Sequence, residues 1–343
     1  MPEKILVFMP GTIGDLITAI PAMQQIRNFH RNAEIHLYNS RFCKNDIHRT
    51  LLDHMNLFDK AFFRQVPERL MQQPWKRISN WYLLFREHYD IIYELPCNTL
   101  TPKYMFKAFR AGKFFAPEYL DPAGEPRFRY LLNFLADCGI PRTDGDEVVN
   151  WNFQTEEIAN AEAWFSKINI PEEYIPFIVC TGGKSPLQHW PLERYAEVLK
   201  KIVPEYRLFP VFVGAGTDGE DAGYLIKECG MGVFSQNVGP LSLREMILTF
   251  QNFKFYFGND TGILHIAGAA GIPSLSVSSA RAPENFWTPL NDLKHISIVA
   301  DVPCKNCRRN ECLYGNIVPC MTSISAKYIL SLIFSCRYLQ NRK

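Results

Sequence analysis

The chain has 343 residues, 47% of them apolar and 21% charged, with a formal net charge of +2. That length predicts two domains, and that balance predicts a globular protein with a sizeable core. The charge is too mild for a nucleic-acid binder, so no nucleic-acid partner is expected. No run approaches the roughly 18 apolar residues of a membrane span. Ile5–Met9 is too short for the core of a secretory leader and lacks a cleavage site. The expected location is the cytoplasm, with peripheral contact at the inner membrane compatible with the sequence.

Taken in order, the chain opens with Ile5–Phe8, a continuous apolar run that suits a strand buried on both faces. A Gly-containing turn through Gly11, Gly14 and Asp15 follows. Leu16, Ile17, Ile20, Met23 and Ile26 then recur at helical spacing. Ala33–Tyr38 and Tyr89–Leu95 read as further strands. Arg127–Cys138 reads as an amphipathic helix stopped by Gly139-Ile140-Pro141. Residues 142–172 look like the crossing between halves and include a helix, Glu156–Lys167.

After Pro171 the alternation restarts. Strands are expected at Ile175–Cys180, Leu208–Val213, Gly232–Phe234, Phe253–Gly258 and Ser274–Val277. Helices are expected at Leu192–Ile202, Glu220–Cys229, Ser242–Phe250, Thr261–Ala270 and Ile324–Cys336. This repeated β-loop-α unit predicts a doubly wound parallel sheet. Ligands bind such sheets beyond the carboxyl ends of the strands. The loops at 10–15, 181–190, 214–220 and 258–262 are therefore where chemistry is expected.

In the first loop, glycines let the backbone approach a ligand, and the helix start favours Asp15 as an anion. A plain capping role for Asp15 is as good a reading of the loop alone. The loop 258–262 runs a strand into Asn-Asp-Thr-Gly and then a small-residue helix. Free N–H groups there can hold a diphosphate, and Asp260 can accept from sugar hydroxyls. Asp260 or Thr261 as a cap, and His265 as a structural histidine, are the plain alternatives.

The opening I-L-V-F-M-P-G-T-I-G-D, the Gly214-centred loop and N-D-T-G-I-L-H-I-A-G-A-A-G-I-P resemble glycosyltransferase family 9, the bacterial heptosyltransferases of lipopolysaccharide core synthesis. The resemblance runs from about residue 4 to 330 and is thin between 40 and 125. It implies an α/β protein of the GT-B class, two Rossmann-like domains facing across a cleft. Residues 1–170 would hold the acceptor and 171–325 the nucleotide sugar. Residues 326–343 would form a C-terminal helix packing back on the N-terminal domain.

The resemblance further implies an inverting transfer from a nucleotide-diphosphate donor, typically ADP-heptose. The acceptor would be a lipid-linked or other surface glycan, and no catalytic metal or other cofactor would be needed. Asp15 would be the general base, since a hydroxyl is a poor nucleophile until a base takes its proton. Donor contacts would come from Gly14, Thr181, Gln188, His189, Asp218, Glu220, Leu241, Asp260, Thr261, Gly262 and His265, with Glu220 favoured over Asp218 for the ribose. The family commonly has a Lys two residues before Trp-Pro, where this chain has Gln188. Lys184 is expected to supply that charge on the departing diphosphate.

Cys304, Cys307, Cys312 and Cys320 lie within 17 residues, the stoichiometry of a structural zinc site without a standard finger spacing. Reduced or partly disulfide-bonded thiols are the alternative. The segment 64–113 mixes basic and aromatic residues. It reads either as a surface for an anionic lipid-linked acceptor, best at 100–115, or as a helical face with its aromatics in the core. Two further function classes stand beside the transferase. A Rossmann oxidoreductase is disfavoured, because the first loop lacks a third glycine and no acid follows the second strand at Tyr38-Asn39-Ser40. A non-catalytic nucleotide-sugar binder is disfavoured by the presence of both Asp15 and Asp260.

Overall fold

Ile5–Phe8 carries no polar side chain to turn toward water, and its residues are almost completely buried. In the computed structural model it forms most of β1 (Lys4–Phe8), the centre of a parallel sheet. The structure describes residues 2–9, 11–39, 50–63, 87–95, 112–116, 124–183, 185–214, 218–236 and 241–335. Two compact units divide the chain: residues 1–121 with 127–152, and 122–126 with 153–343.

In the first unit β1 is flanked by β2 (Glu34–Asn39) and β4 (Ile91–Glu94), with β3 (Lys60–Phe63) and β5 (Lys113–Phe115) at the edges. The order is β3-β2-β1-β4-β5, parallel throughout. Helix α1 (Ile13–Phe29) packs along α2 (Arg127–Asp137). The sequence pattern did not foresee β3 and β5, which are four and three residues long. Strands so short carry too little alternation to be read. β5 also settles part of the basic aromatic stretch. Phe114 packs on the cluster of Leu6, Phe8 and Ile92, and the Phe115 ring stacks on Tyr93 at 5.3 Å. The residues 64–86 and 96–111 of that stretch lie outside the described residues.

The second unit begins with α3 (Thr155–Phe165) and β6 (Ile175–Cys180). It continues through α4 (Leu192–Tyr206), β7 (Leu208–Gly214), α5 (Asp218–Cys229) and β8 (Val233–Gln236). Then follow α6 (Leu243–Phe250), β9 (Tyr256–Asn259), α7 (Gly262–Ala269), β10 (Ser274–Ser278) and β11 (His295–Val299). The short α8 (Pro319–Thr322) and α9 (Ala326–Ser335) complete it. Read from β8 inward, the sheet order is β8-β7-β6-β9-β10-β11. That is the 3-2-1-4-5-6 order of a doubly wound Rossmann sheet, with its switch point between β6 and β9.

Two positions differ from the expected domain limits. The division falls at 152/153 rather than 170, because α3 packs on α6. The Arg244 guanidinium of α6 donates from Nε to Glu157 Oε1 at 2.5 Å and from Nη2 to Oε2 at 3.0 Å, and it lies over the Phe153 ring. The C-terminal helix, expected on the N-terminal domain, packs on α4 within the second unit. Ile329 and Ile333 are fully buried there, in the same core as Leu199 and Val203. The residues 336–343 lie outside the described residues.

Candidate functional site

The residues that carry chemistry stand at the carboxyl ends of the central strands. In the first unit, Asp15 is the third residue of α1 and is 7% exposed. Its Oδ2 accepts from the Thr12 N–H at 2.7 Å and the Thr12 hydroxyl at 2.9 Å. The capping role is therefore real, but it occupies one oxygen. No hydrogen bond reaches Oδ1 among the described residues. Gly11 makes room for this carboxylate. A Cβ at Gly11 would stand 2.8 Å from Asp15 Cγ. Gly14 is buried in the same turn.

Beneath that turn lies a fully buried cation. Arg127 Nη1 donates to the Asp15 backbone oxygen at 2.8 Å and to Thr18 Oγ1 at 2.7 Å. Burying a guanidinium is costly unless it is well bonded, so this anchor fixes the first turn of α1 against α2. β2 ends at Asn39, itself buried, where a dinucleotide-binding Rossmann unit places an acid.

In the second unit, the ends of β6, β7 and β9 gather most of the expected donor residues around the switch point. The Asp218 carboxylate fills the space left by two glycines. A Cβ at Gly182 would stand 2.7 Å from its Cγ, and one at Gly214 would stand 2.6 Å from its Cβ. Gly214–Asp218 thus repeats the four-residue step of Gly11–Asp15, a glycine at or just beyond a strand end beside an aspartate in the first turn of a helix. Glu220 is exposed in the same first turn.

Asp260 directly follows β9. Burial raises its carboxyl from the usual 3.8 to about 7. Its backbone oxygen accepts from Gln188 Nε2 at 3.0 Å, and His265 Nε2 lies 4.0 Å from Oδ1. His265 is buried against Trp287. Thr261 caps α7, its hydroxyl accepting from the Ile263 N–H at 3.3 Å. His189 Nε2 lies 3.1 Å from the Gly183 carbonyl oxygen. Thr181 and Leu241 are buried, and Gly262 opens α7. Lys184 lies outside the described residues.

The residue missed in the sequence is Asn259, fully buried at the end of β9. Its Nδ2 donates to the Thr181 carbonyl and, at 3.1 Å, to the Gly182 carbonyl. Its Oδ1 accepts from the Tyr195 hydroxyl at 2.8 Å and the Trp190 N–H at 3.3 Å. The available signal was a single amide closing an otherwise apolar run, Phe255–Gly258.

The four clustered cysteines are free thiols, and all four line one small pocket with Leu187, Ala280 and Val318. Burial raises the Cys320 thiol, as do the neighbouring Cys304, Cys307 and Cys312. Among the described residues no three His, Cys, Asp or Glu side chains converge as metal ligands, so the arrangement does not fit a tetrahedral zinc ion. No described helix is long and apolar enough to cross a membrane.

Two parallel α/β units, each with its polar residues at the carboxyl ends of the central strands, define the GT-B fold. The comparisons agree. The model of glycosyltransferase family 9 (heptosyltransferase) matches residues 126–318, so the chain belongs to that family and is a glycosyltransferase. Lipopolysaccharide heptosyltransferase 2 of Escherichia coli K12 is 23% identical over 308 residues, covering 84% of this chain and 86% of that protein. Among solved structures, the glycosyltransferase family 9 protein of Veillonella parvula DSM 2008 superposes with a TM-score of 0.71 at 16% identity, covering 98% and 97% of the two chains. The E. coli ADP-heptose LPS heptosyltransferase II gives 0.67 at 18% identity, covering 98% of each.

Proposed function

We propose that this chain transfers heptose, or a closely related sugar, from a nucleoside-diphosphate donor to a hydroxyl of a lipopolysaccharide core or other surface glycan. ADP-heptose is the first-choice donor, because the two E. coli relatives named above are heptosyltransferases, the solved one for ADP-heptose. The single observation that carries the mechanism is the asymmetric Asp15 carboxylate. Thr12 holds Oδ2, and Oδ1 remains to accept a proton. Asp15 acts as general base on the acceptor hydroxyl. The alkoxide character that develops is directed at the anomeric carbon from the side opposite the leaving nucleotide, which inverts that centre.

The donor lies on the second unit. Asp260 and His265 grip sugar hydroxyls, and Asp218 takes the ribose. The α7 amino end and the 181–190 loop, with Lys184, stabilise the diphosphate as it leaves. Asp218 replaces Glu220 as the favoured ribose contact, since it sits between the β6 and β7 ends while Glu220 faces solvent. Catalysis uses no metal. The enzyme works at the cytoplasmic face of the inner membrane, where its acceptor is anchored.

The test has two stages. A thermal-shift panel of ADP-, UDP- and GDP-sugars should show stabilisation by ADP-heptose above the others, since a bound ligand raises stability by mass action. Asp15→Asn should keep that shift and lose about 10²- to 10⁴-fold in transfer, and EDTA should leave the wild-type rate unchanged. Turnover of Asp15→Asn near the wild-type rate removes Asp15 from the role of base.

A further inference from the structure

We propose that Asn259 is the positioning residue of the donor site, and that it works by turning a backbone N–H toward the donor phosphates. The inference rests on the nucleotide-sugar reading above. One buried amide ties together the end of β6 through Thr181 and Gly182, the following loop through Trp190, and α4 through Tyr195. Its own chain continues directly into Asp260. Four bonds satisfy the whole capacity of a carboxamide, so its orientation is fixed and the segments it touches are fixed with it. The Tyr256 hydroxyl secures the Asn259 carbonyl at 2.5 Å.

The consequence follows from peptide geometry. No cis peptide occurs among the described residues, and in a trans peptide the C=O and the next N–H point in opposite directions. Holding the Thr181 carbonyl inward sends the Gly182 N–H the other way, where it meets the Cys180 sulfur. Holding the Gly182 carbonyl inward likewise sends the Gly183 N–H away from Asn259. The Gly183 N–H forms no hydrogen bond among the described residues. It stands in the loop beyond β6, beside the switch point where ligands of a doubly wound sheet lie. An oriented N–H at such a position stabilises negative charge without having to reorganise.

Calorimetric titration of ADP and of adenosine tests this on the full chain. Asn259→Asp replaces the donating Nδ2 by an oxygen facing two carbonyls, and Gly183→Pro deletes the N–H itself. Either variant should bind ADP about 10-fold more weakly, the scale of one lost hydrogen bond to a charged group. Adenosine, which has no phosphate, should bind both variants as it binds the wild type. Gly183→Pro carries the test if Asn259→Asp fails to fold. Equal losses for ADP and adenosine, or no loss for ADP, overturn the proposal. A wild type that binds none of ADP, UDP or GDP overturns the nucleotide-sugar reading beneath it.

Discussion

Gly11 and Asp15 are in contact in a way only a glycine permits: a Cβ on Gly11 would lie 2.8 Å from Asp15 Cγ and 3.0 Å from Oδ2. The Oδ2 atom is already committed to Thr12, so the carboxylate cannot retreat without losing its cap. Gly11→Ala should therefore shift the base. A displacement near 1 Å can cost about 10²-fold in rate, and the overpacking should cost about 1–3 kcal/mol of stability. Donor affinity, which depends on the other unit, should stay as it is. Steady-state kinetics with saturating donor would read the difference. Wild-type turnover in Gly11→Ala would mean that the Asp15 position is not critical.

Arg127 should behave as the support of that same turn. Its guanidinium bonds the Asp15 carbonyl and the Thr18 hydroxyl from a fully buried position. Arg127→Met removes both bonds while the Thr18 hydroxyl keeps its own bonds to the Gly14 and Asp15 carbonyls, so the cost should be that of two lost hydrogen bonds to a charged group, about 1.5–3 kcal/mol each. Turnover should fall about 10-fold or more with the donor KM unchanged. Arg127→Lys can restore one donor and should recover part of the rate. A loss confined to melting temperature, with kcat intact, would reduce Arg127 to a packing role.

The two sites were legible in the sequence to different depths. Asp15 and Asp260 could be found because each lies shortly after an apolar run, at the start of a helix, a pattern local enough to read. Asn259 and Arg127 could not be assigned roles, because their partners are distant: Asn259 meets Thr181 and Tyr195, and Arg127 meets Asp15. The doubly wound class follows from the β-loop-α alternation, whereas the strand order depends on which edges pair. The division at 152/153 was hidden for the same reason. The helix α3 looks like part of the crossing until Arg244 is seen to hold it. Short strands such as β5 leave no periodic trace at all.

The Arg244–Glu157 pair offers a stability test separate from catalysis. Both side chains are largely buried, at 1% and 14% exposure, and bond in the paired geometry of a guanidinium on a carboxylate. Glu157 also accepts from the Gln154 N–H at 2.8 Å at the start of α3. Removing one partner leaves an uncompensated buried charge, at a cost of about 3–5 kcal/mol. Glu157→Ala should lower the unfolding free energy read from urea titration by that amount, and Glu157→Ala/Arg244→Met should recover part of the loss. Additive losses in that double-mutant cycle would show that the two side chains do not act as a pair.

Asp260 makes a prediction with a definite sign. Its folded carboxyl titrates near 7 because burial disfavours the anion, against 3.8 for the ordinary group. The folded protein therefore holds a proton that the unfolded chain has lost between about pH 4 and 7. Stability should be fully present below that window and fall as pH rises through it. Asp260→Asn cannot titrate, so its advantage over wild type should grow from pH 4 to 7 and level off above. Sugar hydroxyls donating to the carboxylate would favour the anion. Donor binding near pH 6 should therefore release a proton, visible as a buffer-dependent binding enthalpy in the wild type and absent in Asp260→Asn. Parallel stability curves, or a binding enthalpy independent of buffer, would place the ionisation of Asp260 outside donor recognition.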